Sequence, residues 1–297
     1  MAVPPGLLVD GTVGGAGHAR ALLEARPDCR LLGIDRDDEA LAAARDRLPS
    51  NRAELVHSGF EELADVLADR PGHDPVVGVL LDLGVSSPQL DRPERGFSYR
   101  ADAPLDMRMD RTQAITAGDI VNDYQETELA RVIARLGEER FARAIARRIV
   151  ARRPVHTTAE LADIVRSAIP APARRRGPHP ARRTFQAIRM QVNRELEHLD
   201  TGLDAAFAAL HPGGRLAVLS YHSLEDRMVK HRFTDWSAGP PAAPRLPRPP
   251  GSPPAPGRLV TRKALRPGTA EVAANPRAES ARLRVVERVA PPMNEEM

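Results

Sequence analysis

Gly6-Leu-Leu-Val-Asp-Gly-Thr-Val-Gly-Gly-Ala-Gly-His18 is the stretch that decides the fold. Its apolar run ends in Asp10 and Gly11, as a buried parallel strand does when it enters a tight turn. Closely spaced glycines allow positive φ angles and let a ligand approach the backbone. Residues 16–26 carry leucines on one side and stop before Pro27, which predicts a helix. Strand, glycine loop and helix together predict a nucleotide-binding α/β unit with amides exposed at the helix start.

Two common phosphate-binding motifs fail to match this loop, which narrows the choice of ligand. A Walker loop needs lysine after its last glycine, and His18 follows Gly17 instead. The dinucleotide motif needs a G-x-G-x-x-G spacing that these glycines lack. The next apolar run ends at Asp35, whose carboxylate can accept both ribose hydroxyls. Ribose binding without a pyrophosphate site favours S-adenosylmethionine over NAD. The alternative is an ordinary strand, turn and helix with a capping aspartate.

Composition describes a chain that can fold into one large domain or two modest ones. It has 297 residues, of which 42% are apolar and 28% charged. No apolar run approaches the roughly 18 residues of a membrane span, so we predict no membrane partner. The single cysteine, Cys29, excludes an internal disulfide and suits a reducing cytosol, which predicts a cytoplasmic protein. The nine histidines lack ligand spacing, and we predict no metal.

Positive charge is concentrated in the middle of the chain. The segment from Arg140 to Arg194 holds fourteen arginines and only two acidic residues, Glu160 and Asp163. Such clustering is typical of a surface that binds a polyanion. The run Arg174, Arg175 and Arg176 is its densest part, and we predict that it binds substrate phosphates. The alternative is a solvated arginine-rich surface. That alternative explains why the basic residues are arginines, but it does not explain why they are clustered.

Further elements follow the same α/β pattern. Asp37 is placed to cap a second helix, and Ser58 and Glu61 have capping-box spacing at the start of a third. Phe60 lies just past a strand end, so it fits either a core position or a stacking position on an adenine. Three later segments predict amphipathic helices, at 126–136, 138–152 and 157–168, and an Arg/Pro-rich loop follows at 170–183. A His-Pro-Gly-Gly turn leads into a strand at 215–220, and 237–257 predicts a proline-rich loop. Segments 259–263 and 281–289 predict a final antiparallel strand pair.

Several longer motifs resemble one protein family, the bacterial small-subunit ribosomal RNA methyltransferase H family. They are Asp10-Gly-Thr-Val-Gly-Gly-Ala-Gly-His18, Gly33-Ile-Asp-Arg36, Leu81-Asp-Leu-Gly-Val-Ser-Ser-Pro-Gln-Leu90, Arg95-Gly-Phe-Ser98, Pro104-Leu-Asp-Met-Arg-Met-Asp110, Phe185-Gln-Ala-Ile-Arg189, Ser220-Tyr-His-Ser-Leu-Glu-Asp-Arg227 and Asn275-Pro-Arg277. The resemblance implies an α/β class I S-adenosylmethionine-dependent methyltransferase with an all-helical insertion. It also implies methylation of N4 of a cytosine in the decoding centre of 16S ribosomal RNA, with the RNA bound within the small ribosomal subunit.

The resemblance also implies boundaries and site residues. The methyltransferase core would comprise 1–103 and 201–297, and the RNA-binding helical insertion 104–200. The implied cofactor contacts are Ala16, Gly17, His18, Asp35, Phe60, Asp82 and Gln89. Family members usually carry a His-x-Pro-Val motif before the first strand, so we expect the natural chain to be longer at its start. Position 221 is Tyr where Phe is commoner, which keeps an aromatic face.

The chemistry of the acceptor suggests where the substrate binds. The lone pair of cytosine N4 is conjugated into the ring, so acceptors for its hydrogens would favour the reactive pyramidal amine. Ser86 and Ser87 are candidate acceptors. Phe97, Tyr99 and Tyr221 are candidate stacking residues for a flipped or single-stranded base, and Tyr221, beside His222 and Ser223, is preferred because it ends a central strand. No general base needs to be assigned, and the catalytic residues stay open. Two alternatives also stay open: a DNA amino-methyltransferase, and a non-catalytic RNA-binding factor for ribosome assembly.

Overall fold

The computed structural model describes residues 4–70, 72–174, 179–238 and 254–290. The chain divides into two compact units. The sheet unit comprises Met1–Gly84 and Leu196–Met297, and the helical unit comprises Val85–Glu195. These limits differ from the boundaries expected at 104 and 200, because residues 85–103 carry side chains that belong to the helical core. Most of the expected proline-rich loop, 239–253, lies outside the described residues.

The sheet unit is built on a seven-stranded mixed sheet with the order β3-β2-β1-β4-β5-β7-β6. The first five strands in the chain pair in parallel, and β7 pairs antiparallel with both β5 and β6. The expected final antiparallel pair is therefore confirmed, although its first strand lies at 257–259 and overlaps the expected 259–263 only at Leu259. The strands are β1 Leu7–Asp10, β2 Arg30–Asp35, β3 Ala53–His57, β4 Val76–Asp82, β5 Leu210–Ser220, β6 Gly257–Leu259 and β7 Arg282–Arg288.

Thirteen α-helices accompany the strands in the part of the chain that the structure describes. They are α1 Gly17–Ala25, α2 Asp38–Arg45, α3 Leu63–Ala68, α4 Ser87–Asp91, α5 Ala117–Asp123, α6 Glu126–Gly137, α7 Ala142–Val150, α8 Thr158–Ala168, α9 Ala171–Arg174, α10 Arg182–Val192, α11 Glu195–Ala209, α12 Ser223–Ala238 and α13 Thr269–Ala274. Among the described residues, no helix is both long enough and apolar enough to cross a membrane.

Both faces of the sheet carry an apolar layer, as expected for parallel strands whose sequences are continuously hydrophobic. On one face, α1 and α2 contribute Leu23 and Leu41 to a cluster with Leu8 and Leu31. On the other face, α3, α11 and α12 pack against the alternate strand residues, including Val9, Leu32 and Leu81. Residues one apart on a strand point to opposite faces, so each strand serves both layers.

Two local predictions in the sheet unit are wrong. Ser58 does not cap a helix, because residues 60–62 form a short 3-10 helix and the Glu61 carboxylate is held by Arg36 Nη2 at 2.8 Å. Ser58 Oγ donates to Glu62 instead. The His211-Pro-Gly-Gly segment lies within β5 rather than before it. The pairing with β4 passes from Val76 opposite Leu210 to Gly78 opposite Arg215, so the segment forms an irregularity inside the strand.

The helical unit has its own apolar core, formed by α5 to α8 and α10 together with residues that precede them. Phe97 and Leu105 are buried in it, which explains why the unit begins before residue 104. Asn193 fixes the end of α10 to this preceding segment: its Oδ1 accepts from Met109 N at 2.7 Å and its Nδ2 donates to Met107 O at 2.8 Å. The helix expected from residue 138 begins at Ala142, since Glu138 has a φ of 48°.

Candidate cofactor and substrate site

The carboxyl edge of the sheet is the natural place to look for a ligand. Parallel strands end at one edge, and ligands of open α/β sheets bind outside those ends. Here β1, β2 and β4 each end in an aspartate, namely Asp10, Asp35 and Asp82. The neighbouring strand β5 ends at Ser220 and leads into the Tyr-His-Ser turn before α12. We call the ends of these four strands and the loops after them the carboxyl edge.

The glycine loop after β1 leaves open space where α1 begins. Ala16, the residue before α1, takes a left-handed conformation with φ 63° and is buried. A Cβ placed on Gly17 would meet no heavy atom of the described chain within 4 Å. Gly11 differs, because a Cβ there would lie 2.6 Å from Leu81 Cδ2. Gly11 is thus required by packing, whereas Gly17 leaves room for a ligand at the helix N-terminus.

Asp35 connects the end of β2 to this loop. Its Oδ2 accepts a hydrogen bond from Gly14 N at 2.8 Å, and its Oδ1 accepts one from Asp37 N at 2.9 Å. Burial raises the pKa of Asp35 above its ordinary value, although these two backbone hydrogen bonds oppose the shift. Each carboxylate oxygen has a further lone pair, so the side chain can accept ribose hydroxyls while it holds the loop.

Asp10 is a residue that the sequence did not single out as part of the site. It is 1% exposed, and its Oδ1 accepts from Thr12 N at 3.2 Å. Among the described residues, its Oδ2 has no hydrogen-bond partner. Burial raises the pKa of Asp10 to about 7, against the lowering effects of the Thr12 amide and His18. The signal for Asp10 in the sequence was an acidic residue at the end of an otherwise apolar strand.

Asp82 joins three parts of the carboxyl edge. Its backbone N donates to Thr12 Oγ1 at 2.6 Å, and its Oδ1 accepts from the Tyr221 hydroxyl at 2.9 Å. Its Oδ2 lies 3.3 Å from His18 Nδ1. The hydrogen bond to Asp82 raises the pKa of His18 above its ordinary value. The predicted residues His18, Asp82 and Tyr221 are therefore brought together.

Tyr221, His222 and Ser223 line a pocket of about 140 Å³ in the sheet unit. Burial and the Asp82 carboxylate raise the pKa of Tyr221 well above its ordinary value, so its hydroxyl stays protonated and donates. Sequence reasoning missed the other lining residues, which are Arg266, Glu279, Ser280, Ala281 and Arg282. They come from the segment before β7 and from its first residue, Arg282, and the nearby Asn275-Pro-Arg277 motif was the only signal for them.

Two buried acidic residues hold the turn after β5 in place. Glu225 Oε2 accepts from Tyr221 N at 3.0 Å and from His222 N at 3.3 Å. Asp226 accepts from Arg282 Nη1 and from Arg284 Nε, both at 2.7 Å. Burial alone would raise the pKa of Asp226, but the hydrogen bonds from the two arginines lower it overall. The pocket wall is therefore fixed by α12 and β7 together.

Phe60 has a packing role in the sheet unit. It is half-buried, and a Cβ on Gly202 of α11 would clash with its ring. A Cβ on Gly11 would also lie 3.0 Å from Phe60 Cβ. These contacts place the ring between the glycine loop and α11. They account for Phe60 as a core residue, and its contact with an adenine stays a prediction.

The remaining predicted residues belong to the helical unit. Ser86 caps α4: its Oγ accepts from Gln89 N at 3.3 Å, and Gln89 Oε1 accepts from Ser86 N at 3.0 Å. Gln89 is buried, so the structure gives it a capping role that the sequence did not predict. Ser87 is exposed at the start of α4. Arg174 is exposed at the end of α9, whereas Arg175 and Arg176 lie outside the described residues.

These features fit the cofactor that the sequence predicts. The space at Gly17 suits a ligand at the start of α1, and Asp35 stands at the usual ribose position. The Asp82 carboxylate places negative charge nearby, which suits a cationic ligand, and the unpartnered Asp10 oxygen adds to that charge when Asp10 is ionised. The strand order, the glycine loop and the acidic strand ends define a class I S-adenosylmethionine-dependent methyltransferase.

Comparison with known proteins also identifies the chain as a methyltransferase. The chain belongs to the MraW methylase family, whose model matches residues 1–289. It is 55% identical over 296 residues to the ribosomal RNA small subunit methyltransferase H of Thermobifida fusca, covering 97% of this chain and 88% of that protein. The protein of the same name from Symbiobacterium thermophilum is 53% identical over 294 residues, covering 95% and 91%. A solved rRNA methylase from Streptococcus thermophilus has 11% identity and a TM-score of 0.41, covering 96% and 88%.

Proposed function

We propose that this chain methylates the exocyclic N4 of a cytidine in the decoding centre of 16S ribosomal RNA. The observation that carries the proposal is the pocket at the end of β5, where Tyr221 donates its hydroxyl hydrogen to the Asp82 carboxylate. Relatives at 53–55% identity are named for methylation of small-subunit ribosomal RNA. The substrate would be met on the small ribosomal subunit in the cytoplasm.

The carboxyl edge would hold the methyl donor. S-adenosylmethionine supplies a methyl group on a positively charged sulfur. Asp35 would accept the ribose hydroxyls, while Ala16, Gly17 and His18 would line the start of α1 beside it. Asp10 and Asp82 would stabilise the positive charge, because a carboxylate in a partly buried site interacts more strongly than one in water. Phe60 and Gln89 would complete the contacts implied by the family.

The pocket would hold the acceptor base. The Tyr221 ring would provide a stacking face, and its bond to Asp82 would fix the ring orientation. Hydroxyl and carboxylate oxygens of Ser223 and Glu279 would accept N4 hydrogens. Ser86 and Ser87, which belong to the helical unit, stay acceptors predicted from the sequence. Arg266, which is exposed, would face an RNA phosphate. Alignment of donor and acceptor would account for much of the rate enhancement.

Methylation at cytosine C5 would need a different site. That reaction uses a cysteine thiolate that adds to C6 of the ring. Cys29 is buried and precedes β2, whereas the candidate site lies at the other end of that strand. At about 3.3 Å per residue, the strand places it roughly 20 Å from the carboxyl edge. The position of Cys29 therefore supports transfer to a heteroatom.

Nucleoside mass spectrometry tests the proposal. The purified chain is incubated with isotopically labelled S-adenosylmethionine and small ribosomal subunits from a strain that lacks the protein. We expect labelled N4-methylcytidine, and no label in duplex DNA of matched sequence. Tyr221→Phe keeps the ring but loses the hydrogen bond to Asp82, so it should retain part of the activity, whereas Tyr221→Ala should lose it. Labelled 5-methylcytidine or labelled DNA would contradict the proposal, as would an RNA-bound protein that transfers no label.

A further inference from the structure

The helical unit contains a second concave site, distinct from the carboxyl edge. A cleft of about 610 Å³ is lined by Tyr99, Arg100, His179 and Arg182. A cleft of this volume is within the range that holds small organic ligands. Tyr99 and Arg100 precede α5, while His179 and Arg182 lie at the start of α10. We call it the Tyr–His cleft.

Aromatic rings form one wall of the Tyr–His cleft. The rings of Tyr99 and His179 stack with centroids 4.4 Å apart and planes 8° apart. Tyr99 also meets the buried Phe185 edge-on at 5.5 Å, which anchors it to the core of the unit. His179 itself is exposed although Tyr99 covers one face of its ring. The stack therefore presents a flat face that is fixed from behind.

The charges beside the rings are positive and uncompensated. Arg100 and Arg182 are exposed, and neither has a carboxylate partner in the part of the chain that the structure describes. Burial, with Arg166 and Arg100 nearby, lowers the pKa of His179, so its imidazole is neutral at neutral pH. The cleft thus combines an uncharged aromatic face with two available guanidinium groups.

We propose that the Tyr–His cleft binds one unpaired nucleotide of the RNA substrate. Its base stacks on His179, and Arg100 and Arg182 bind the adjoining phosphates. Proteins that hold single-stranded RNA combine stacking platforms with arginine or lysine in this way, and bases inside a duplex are not available for it. The inference rests on the proposed function, which makes RNA the substrate. It adds a second point of contact with the RNA, in the helical unit.

Substitution of His179 separates stacking from a purely structural role. Ala181 N donates to His179 Nδ1 at 3.2 Å, so the imidazole also supports the start of α10. His179→Phe keeps an aromatic face and loses this acceptor, whereas His179→Asn keeps an acceptor and loses the ring. For an unstructured RNA oligonucleotide, we expect Asn to weaken binding by about 5-fold to 150-fold. We expect Phe to bind as the unaltered chain does. The opposite order overturns the inference.

Substitution of the arginines tests the phosphate contacts. Arg100→Ala with Arg182→Ala should reduce the slope of log affinity against log salt by about 0.7 for each phosphate contact. Arg131→Ala with Arg135→Ala removes the same charge from exposed positions on α6 and serves as the control. Equal slopes for the two pairs would mean diffuse attraction and would overturn the inference.

A crosslinking experiment keeps this inference separate from the proposed function. An oligonucleotide carrying 5-iodouridine is irradiated with the full chain, and crosslinked peptides are identified by mass spectrometry. Crosslinks at Tyr99 or His179 support the cleft, and crosslinks confined to other residues overturn it. Methylation of small subunits by the unaltered chain is measured in parallel. Methylation without a crosslink in the cleft refutes the cleft alone, whereas absence of both RNA binding and methylation refutes the proposed function and the cleft with it.

Discussion

The carboxyl edge and the Tyr–His cleft carry charges of opposite sign, and the two sets differ in whether hydrogen bonds fix their positions. Asp35 and Asp82 each accept hydrogen bonds from other parts of the sheet unit, and Asp10 is almost fully buried. Arg100 and Arg182 are exposed and have no carboxylate partner among the described residues. Charges fixed before binding suit a small ligand with one defined pose. Exposed guanidinium groups suit a long polyanion, whose binding depends on salt.

The strongest test of the carboxyl edge is Asp10→Asn. The pKa of Asp10 is about 7 in the folded chain and 3.8 ordinarily, so the folded state binds more protons between these values. The free energy of unfolding should therefore fall as pH rises from about 4 to about 7, by about 4 kcal/mol in total at 1.36 kcal/mol per pKa unit. Asparagine cannot ionise, so this loss should disappear in the variant. Urea unfolding at a series of pH values, without cofactor, measures it.

Asp65→Asn is the matched control for that experiment. Asp65 lies exposed in the first turn of α3. The free energy of unfolding of the Asp65 variant should therefore depend on pH as it does in the unaltered chain. Identical curves for the Asp10 variant and the unaltered chain would mean that Asp10 is not protonated in the folded state at neutral pH.

Asp35→Ala has the next largest expected effect. Loss of hydrogen bonds to a charged group should reduce S-adenosylmethionine binding by about 1.5–3 kcal/mol. Isothermal titration calorimetry measures the loss, and circular dichroism checks that the fold is kept, because Asp35 also accepts from Gly14 N and Asp37 N. Asp38→Ala, an exposed neighbour in α2, should bind normally. Unchanged affinity in the Asp35 variant would remove Asp35 from the cofactor site.

The successes of the sequence concern local patterns. The glycine loop, the strand that ends at Asp35 and the cap at Asp37 each depend on residues close together in the chain, and the structure confirms all three. Asp82 and Tyr221 were predicted separately, Asp82 as a cofactor contact implied by the family resemblance and Tyr221 as a stacking residue. Their hydrogen bond could not be predicted from either segment, because it requires the direct pairing of β4 with β5.

The failures concern contacts between distant segments. Glu279 and Arg266 reach the pocket only because β7 inserts between β5 and β6, which no local pattern indicates. Ser58 and Glu61 had capping-box spacing, yet Arg36 takes the glutamate carboxylate. Gln89 also closes a capping box with Ser86, a local role that the sequence did not predict, and its contact with the cofactor stays a prediction. The ion pair between Arg36 and Glu61 and the capping box of α4 are thus contacts that residue spacing alone did not predict.

The arginine side of the comparison is sharpened by changing Arg174, Arg175 and Arg176 together to alanine. If they bind phosphates, affinity should fall alike for all RNA sequences, and the salt slope should decrease by about 0.7 per contact with a single strand. Fluorescence anisotropy at several salt concentrations measures both quantities. A slope that survives the triple substitution would make this run a solvated surface.

Cys29→Ala should have the smallest effect on activity. Cys29 is buried at the amino end of β2, and the Arg52 guanidinium binds its backbone oxygen, which the substitution preserves. Stability should fall by about 1 kcal/mol, the usual size for a core substitution. The rate should not change, and neither should the product, which the proposed function makes N4-methylcytidine. A folded but inactive variant would show that the thiol takes part in the reaction.

The pairing of β4 with β5 also determines the order in which this chain can be assembled during translation. Asp82 lies opposite Leu219, so the whole helical unit is synthesised between the two partners. Until β5 leaves the ribosome, β4 has an unpaired edge, and such edges are sites of aggregation. The helical unit has its own core and can fold during this interval, as domains generally do during synthesis.

The strand β7 arrives later still, although it lies inside the sheet between β5 and β6. A nascent chain that stops before Arg282 therefore lacks an internal strand, together with the arginine that pairs with Asp226. The pocket at the end of β5 is completed only at that point, because Glu279 and Arg282 form part of its wall. Newly made chains thus complete this pocket at the end of their synthesis, long after the glycine loop has formed.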